Sequence, residues 1–345
     1  FLTLSMIHEL KEIILQAKRN QDKALKNVLV TVVALEGSSY RKPGVRMLIT
    51  EDDKMIGAVS GGCVEKEILH RSKSVFRDGT AKVITYDGRY RLGCEGILYI
   101  LIEPFFITAA FYKRFTDAIL QRESLKIESF FTKENEAIGD FGSVFTFEHS
   151  ASFSYAKKTA AADSPNLVSF EQTLSPAFRL LIIGAEHDAL KLCEMAALLG
   201  WQVDIITSIK DPKSNLDFPK ANSVIGSTPE MLDLSKIDTN TGIVIMNHNY
   251  ALDVKYVLQL VAKEPAYLGI LGAAKRRDKM FNELFEYNTE ISEDFLERIF
   301  TPAGLNLGAQ TPEEIALSIL AEILATLKNK TPSSLKEITG NIHTS

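Results

Sequence analysis

Two of the three cysteines in this 345-residue chain lie among glycines, Cys63 in SGGCVEKEI and Cys94 in GCEGIL. Ser60, Gly61 and Gly62 offer backbone N–H groups just ahead of an expected helix that Cys63 opens. The partial positive charge at a helix N-terminus lowers a thiol pKa and attracts anions. Cys63 is therefore placed as a reactive or ligating thiolate, and Cys94 can approach the same ligand; the alternative for both is a small buried hydrophobe. Cys193, on the apolar face of EHDALKLCEMAALLG, reads as core. Three cysteines without C-x-x-C spacing fit neither a disulfide framework nor a structural zinc site. Upstream, EGSSYRKPGVRM sets Arg41, Lys42 and Arg46 around Pro43 and Gly44, a tight turn whose donors suit an anion.

A second group of candidates lies in the other half of the chain. GAEHDA (Gly184 to Ala189) joins an expected strand to an expected helix, the place where doubly wound proteins hold a pyrophosphate. It departs from the dinucleotide fingerprint: Glu186 stands where the second glycine would let the backbone approach phosphate, and Thr207 ends the next strand where a ribose-binding carboxylate would be. Ordinary NAD(P) binding is thus disfavoured, leaving an unusual ligand or a turn that merely packs. His187 and His248 follow strand ends, and strand ends in such a sheet converge on one crevice. Lys275, Arg276 and Arg277 at a helix start offer either phosphate contacts or a solvated charged turn.

The elements that must position these residues follow from periodicity. MIHELKEIILQAKRN reads as an amphipathic helix, NVLVTVVAL as a buried strand, and RMLIT and MIGAVS as strands flanking the turn EDDK. VEKEILHRSKSVF is helical, AKVITY and ILYILIE are strands, FYKRFTDAIL is a helix, and KIESFFT and GSVFTFE are further strands. This mixture predicts an N-terminal α+β domain over 1–150 and a connection over 151–175. From Phe178, strand and helix alternate through FRLLIIGA, EHDALKLCEMAALLG, WQVDIITS, TGIVIMN, ALDVKYVLQLVAKE and AYLGILG. That pattern predicts a Rossmann-like, doubly wound parallel sheet over 176–330, followed by a tail, 331–345. Thr311, Pro312 and Glu314 form a capping-box start for the last helix.

With 46% hydrophobic and 24% charged residues and a net charge of −5, the chain reads as a globular protein without the basic field that nucleic acid demands. No apolar run reaches the ~20 residues that cross a bilayer, so the expectation is a cytoplasmic protein with no membrane partner.

Taken together, VTVVALEGSSYRKPGVRMLIT, GAVSGGCVEKEI and LGCEGILYILIEP resemble the first domain of the XdhC/CoxI family, accessory proteins for maturation of molybdenum hydroxylases such as xanthine and carbon monoxide dehydrogenases. LLIIGAEHDALKLCEMAALLGWQVDII, IVIMNHNYALD, YLGILGAAKRRDKM and IFTPAGLNLGAQTPEEIALSILAEI resemble its second domain in the same order. The resemblance implies a carrier of molybdenum cofactor (molybdopterin) rather than a turnover enzyme. It also implies delivery of the sulfurated cofactor to an apo molybdenum hydroxylase, a cysteine desulfurase as a further partner, and a homodimer. Cys63 and Cys94 match the family's cysteines, with Glu95 replacing a glycine after the second; soft sulfur suits molybdenum, so Cys63 is the expected metal contact. Cofactor contacts are expected from Ser60, Gly61, Gly62 and Arg41, and from Gly184, His187 and His248. The sequence departs from the family pattern at Tyr40, Glu186, Thr207 and Tyr250, mostly in the second half. Other readings are an NAD(P)-dependent oxidoreductase using His187 or His248, and a protein-binding adaptor with a vestigial crevice.

Overall fold

The computed structural model describes residues 6–37, 42–59, 63–88, 96–148, 152–156 and 166–337. The chain divides into two compact units, Phe1–Ala177 and Phe178–Ser345. Unit 1 runs α1 (Met6–Gln21), β1 (Asn27–Glu36), β2 (Arg46–Thr50), β3 (Met55–Gly57), α2 (Cys63–Asp78), β4 (Ala81–Asp87) and β5 (Ile97–Pro104). It continues with α3 (Ala109–Gln121), β6 (Leu125–Phe131), β7 (Ala137–Gly139), β8 (Gly142–Phe147), β9 (Ser152–Ser154) and β10 (Val168–Leu174). The strands form an antiparallel six-stranded sheet, β3-β2-β1-β5-β4-β7, and an antiparallel four-stranded sheet, β10-β6-β8-β9.

Both faces of the six-stranded sheet are covered, which is why β1 is an almost unbroken apolar run instead of an alternating one. On one face, α1 lays down Ile7, Leu10, Ile13, Ile14 and Ala17, at helical spacing, among Leu29, Leu48, Phe111, Phe145 and Phe147. On the other, α2 buries Val64, Ile68 and Val75 against Val28, Val30, Val32, Met47 and Ile100. The stretch 151–175, which the sequence presents as a connection, contains β9 and β10. Only Leu174 of β10 is buried, so this edge strand lacks the apolar alternation that would mark it.

Unit 2 runs β11 (Arg179–Ile183), α4 (His187–Leu198), β12 (Gln202–Thr207), β13 (Ser223–Gly226), β14 (Thr241–Ile245), α5 (Tyr250–Leu260) and β15 (Tyr267–Ile270). After these come α6 (Ala274–Tyr287), α7 (Glu293–Glu297), β16 (Ile299–Phe300) and α8 (Pro312–Leu327). The sheet is parallel, in the order β13-β12-β11-β14-β15-β16. The order reverses between β11 and β14, the switch point at which doubly wound folds open a crevice. Residues of α5, α6 and α7 bury Val257, Leu284 and Phe295 with Ile183, Ile243 and Ile245, and α4 packs beside α8. The capping box of α8 forms as expected, Thr311 accepting from Glu314 N and Glu314 from Thr311 N. Among the described residues, no helix is long and apolar enough to cross a membrane.

Candidate functional site

In unit 1 the antiparallel register decides where the sequence motifs are rooted. Glu36 at the end of β1 pairs with Ile97 at the start of β5, and Asp87 at the end of β4 pairs with Ile97 from the other side. β2 begins at Arg46, opposite Thr31 of β1, and Gly57 at the end of β3 lies opposite Met47. The connections across 37–45, 58–63 and 88–96 therefore all leave one end of the six-stranded sheet.

Their roots are fixed. Gly44 N donates to Val32 O at 2.8 Å, Val32 N to Val45 O at 3.0 Å, and Gly88 N to Gly96 O at 2.9 Å. Val45, Val59, Val64 and Leu98 share one buried cluster. Cys63 is the first residue of α2, as the sequence predicts; its side chain, and all of Arg41, Ser60, Gly61, Gly62 and Cys94, lie outside the described residues.

Arg46 has a different role from the anion grip expected of it. It is 4% exposed, and its Nη1 donates to Gly44 O at 3.0 Å and to Gln172 Oε1 of β10 at 2.5 Å. Burial lowers its pKa to about 10 against the opposing pull of Glu103. Glu103, which no sequence motif singles out, is 1% exposed. It accepts from Ser143 N at 2.8 Å and Ser143 Oγ at 2.6 Å. Burial nevertheless pushes its carboxyl up to about 7. The signal available in the sequence was a lone acid closing the apolar strand ILYILIEP.

In unit 2 the candidates sit at the carboxyl ends of the strands. Gly184 has φ +130°, and a Cβ there would lie 2.7 Å from Met246 O, so glycine is needed for β11 and β14 to leave the sheet side by side. Glu186 is the exposed N-cap residue of α4 and makes no side-chain capping bond. Its carboxylate acts on the Lys213 ammonium. Thr207 is buried, its Oγ1 accepting from Lys213 N at 3.3 Å and donating to Asp211 O at 3.4 Å. The end of β12 thus closes its own turn with a hydroxyl where a dinucleotide site would present a carboxylate.

His187 and His248 are both exposed. His187 acts on Glu313 in the first turn of α8, and His248 on Asp253 of α5. Arg276 is not held out for phosphate: its Nη2 pairs with the fully buried Asp253, and its guanidinium lies 5.1 Å from the Tyr250 ring centroid. Burial pushes the Asp253 carboxyl up to about 6, against the pull of Asn247 and Arg276. Cys193 is buried and its thiol is pushed up to about 11 by burial, as expected of a core residue. Among the described residues no cluster of His, Cys, Asp and Glu has metal-binding geometry.

Comparison with known proteins gives two domain matches: residues 180–323 to the XdhC Rossmann domain, and residues 22–87 to the XdhC and CoxI family. A Bacillus subtilis protein, named as one of the probable subunits of xanthine dehydrogenase, is 31% identical over 322 residues, covering 87% of this chain and 93% of the relative. The molybdenum cofactor insertion chaperone PaoD of Escherichia coli is 25% identical over 296 residues, covering 86% of this chain and 82% of the relative. A crystal structure described as a xanthine dehydrogenase from Bacillus halodurans shares the fold. Its TM-score is 0.74 at 24% identity, over 92% of this chain and 96% of that one.

Proposed function

This chain belongs to the XdhC and CoxI family, and on that premise we propose that it is a maturation factor for a molybdenum hydroxylase, which binds molybdenum cofactor as cargo and assists its sulfuration and insertion. The names of two relatives, one for a molybdenum cofactor insertion chaperone and one for a component of xanthine dehydrogenase, support the direction of this reading. The observation that carries it is the common origin of three connections at one end of the six-stranded sheet. One of them delivers Cys63 to the start of α2. A thiol there has the helix N-terminus to favour its thiolate, and a thiolate is a reasonable ligand for molybdenum.

The cargo is held by Cys63 and Cys94, with the amides of Ser60, Gly61 and Gly62 and the Arg41 side chain on its phosphate. Within unit 2, taken by itself, the turns bearing Gly184, His187 and His248 are the candidate cofactor contacts. The client is an apo molybdenum hydroxylase, a cysteine desulfurase supplies the sulfur, and the working form is a cytoplasmic homodimer.

Equilibrium binding tests this. Isolated molybdenum cofactor is mixed with the full chain, bound and free fractions are separated by ultrafiltration, and the oxidised pterin is read by fluorescence. Saturable binding that weakens in Cys63→Ala is the expected result. No saturable uptake by folded wild type would end the carrier reading, and unchanged affinity in Cys63→Ala would remove the thiol from it.

A further inference from the structure

We infer that Asp253 is a positioning residue: it locks the turns leaving β14 and β15 into one wall of the crevice, with His248 standing on that wall. The chain of contacts runs through named atoms. Asp253 Oδ1 accepts from Asn247 Nδ2 at 3.0 Å, in the turn leaving β14. Asp253 Oδ2 accepts from Arg276 Nη2. Arg276 Nη1 in turn donates to Leu271 O at 3.3 Å, in the turn leaving β15. Leu271 N donates back to Ile245 O at 2.9 Å, closing a ring of bonds across the two strand ends. Arg276 also packs on the second turn, its Cδ standing 3.0 Å from where a Cβ on Gly272 would be.

His248 is bracketed within this ring. Asn247, on one side, is held by Asp253; Asn249, on the other, caps α5 by accepting from Leu252 N at 3.2 Å. The exposed imidazole therefore projects from backbone fixed at both neighbours. Tyr250 secures the arginine from the far side, its ring lying 5.1 Å from the Arg276 guanidinium and 4.3 Å from the Lys279 ammonium. A buried carboxylate with two partners on different elements is costly to neutralise, because each partner is left facing a group that cannot replace the bond. In Asp253→Asn the amide oxygen can still serve Asn247, but its NH2 group then faces the guanidinium, donor to donor.

That His248, so placed, serves the cargo rests on the carrier reading above; the mechanical claim does not. Hydrogen exchange read by mass spectrometry on the full chain separates the two. In Asp253→Asn, the backbone amides of 246–249 and of 271–274 should both exchange about ten-fold faster or more, while those of 184–187, at the end of β11, keep wild-type rates. The His248 ring signal in a ¹H–¹³C spectrum should move in the same variant and again when Arg276 is replaced, a change that keeps the Asp253 charge acting on His248. Arg276→Met provides a second route: it keeps an unbranched side chain but removes every donor to Asp253 and Leu271 O, so both turns should again lose protection. Release of one turn alone, or unchanged exchange in both, overturns the proposal. Failure of wild type to bind the cofactor would end the carrier reading and leave the exchange result decisive for Asp253.

Discussion

Replacement of Glu103 by Gln has a calculable effect on stability. Glu103 is buried between the sheets of unit 1, with Ser143 bonded to both carboxylate oxygens and the Arg46 charge acting on it. Its folded-state pKa stands near 7 against an ordinary 4.5. The folded chain therefore holds this proton over a pH range in which the unfolded chain has released it. A raised carboxyl contributes stability that is present below about 4.5 and lost as pH rises through about 7. At ~1.4 kcal/mol per pH unit, the loss amounts to about 3 kcal/mol. Glutamine imitates the protonated acid and does not titrate. The variant's stability minus that of wild type should thus climb by about 3 kcal/mol between pH 4.5 and 8 and then level off. The sole tryptophan, Trp201, belongs to unit 2, so urea unfolding followed by its fluorescence reports that unit. Exchange of the slowest amides in β1 and β5 reports unit 1. A difference that stays flat with pH, or falls, would refute a Glu103 that titrates near neutrality.

Two further outcomes follow from unit 2. Gly184→Ala puts a Cβ against Met246 O on backbone at φ +130° and should cost on the order of 3 kcal/mol; it is read by urea unfolding with Trp201, which packs on Phe178 at a ring separation of 4.7 Å. A wild-type midpoint would mean that β11 and β14 do not leave the sheet in close contact. Cys193, buried with its thiol near 11, should resist alkylation at pH 8 until the unit unfolds. Peptide mapping that finds it modified at native rates would show the buried face of α4 open to solvent.

The sequence by itself determined the order and kind of most elements, because hydrophobic period, caps and turn residues act within a few positions of one another. The parallel second unit, the helix opening at Cys63 and the capping box at Thr311 were all readable in this way. β10 was not, since an edge strand with one buried residue carries no period. Only the tertiary structure decided the fate of the charges. Arg46 and Arg276 occur in runs of basic residues that look alike in sequence and suggest anion binding. Pairing over 126 positions ties Arg46 to Gln172, and the packing of α6 on α5 gives Arg276 to Asp253. The partner of a buried charge is set by which strands and helices become neighbours. That is a property of sheet order and register, and no local pattern in the chain encodes it.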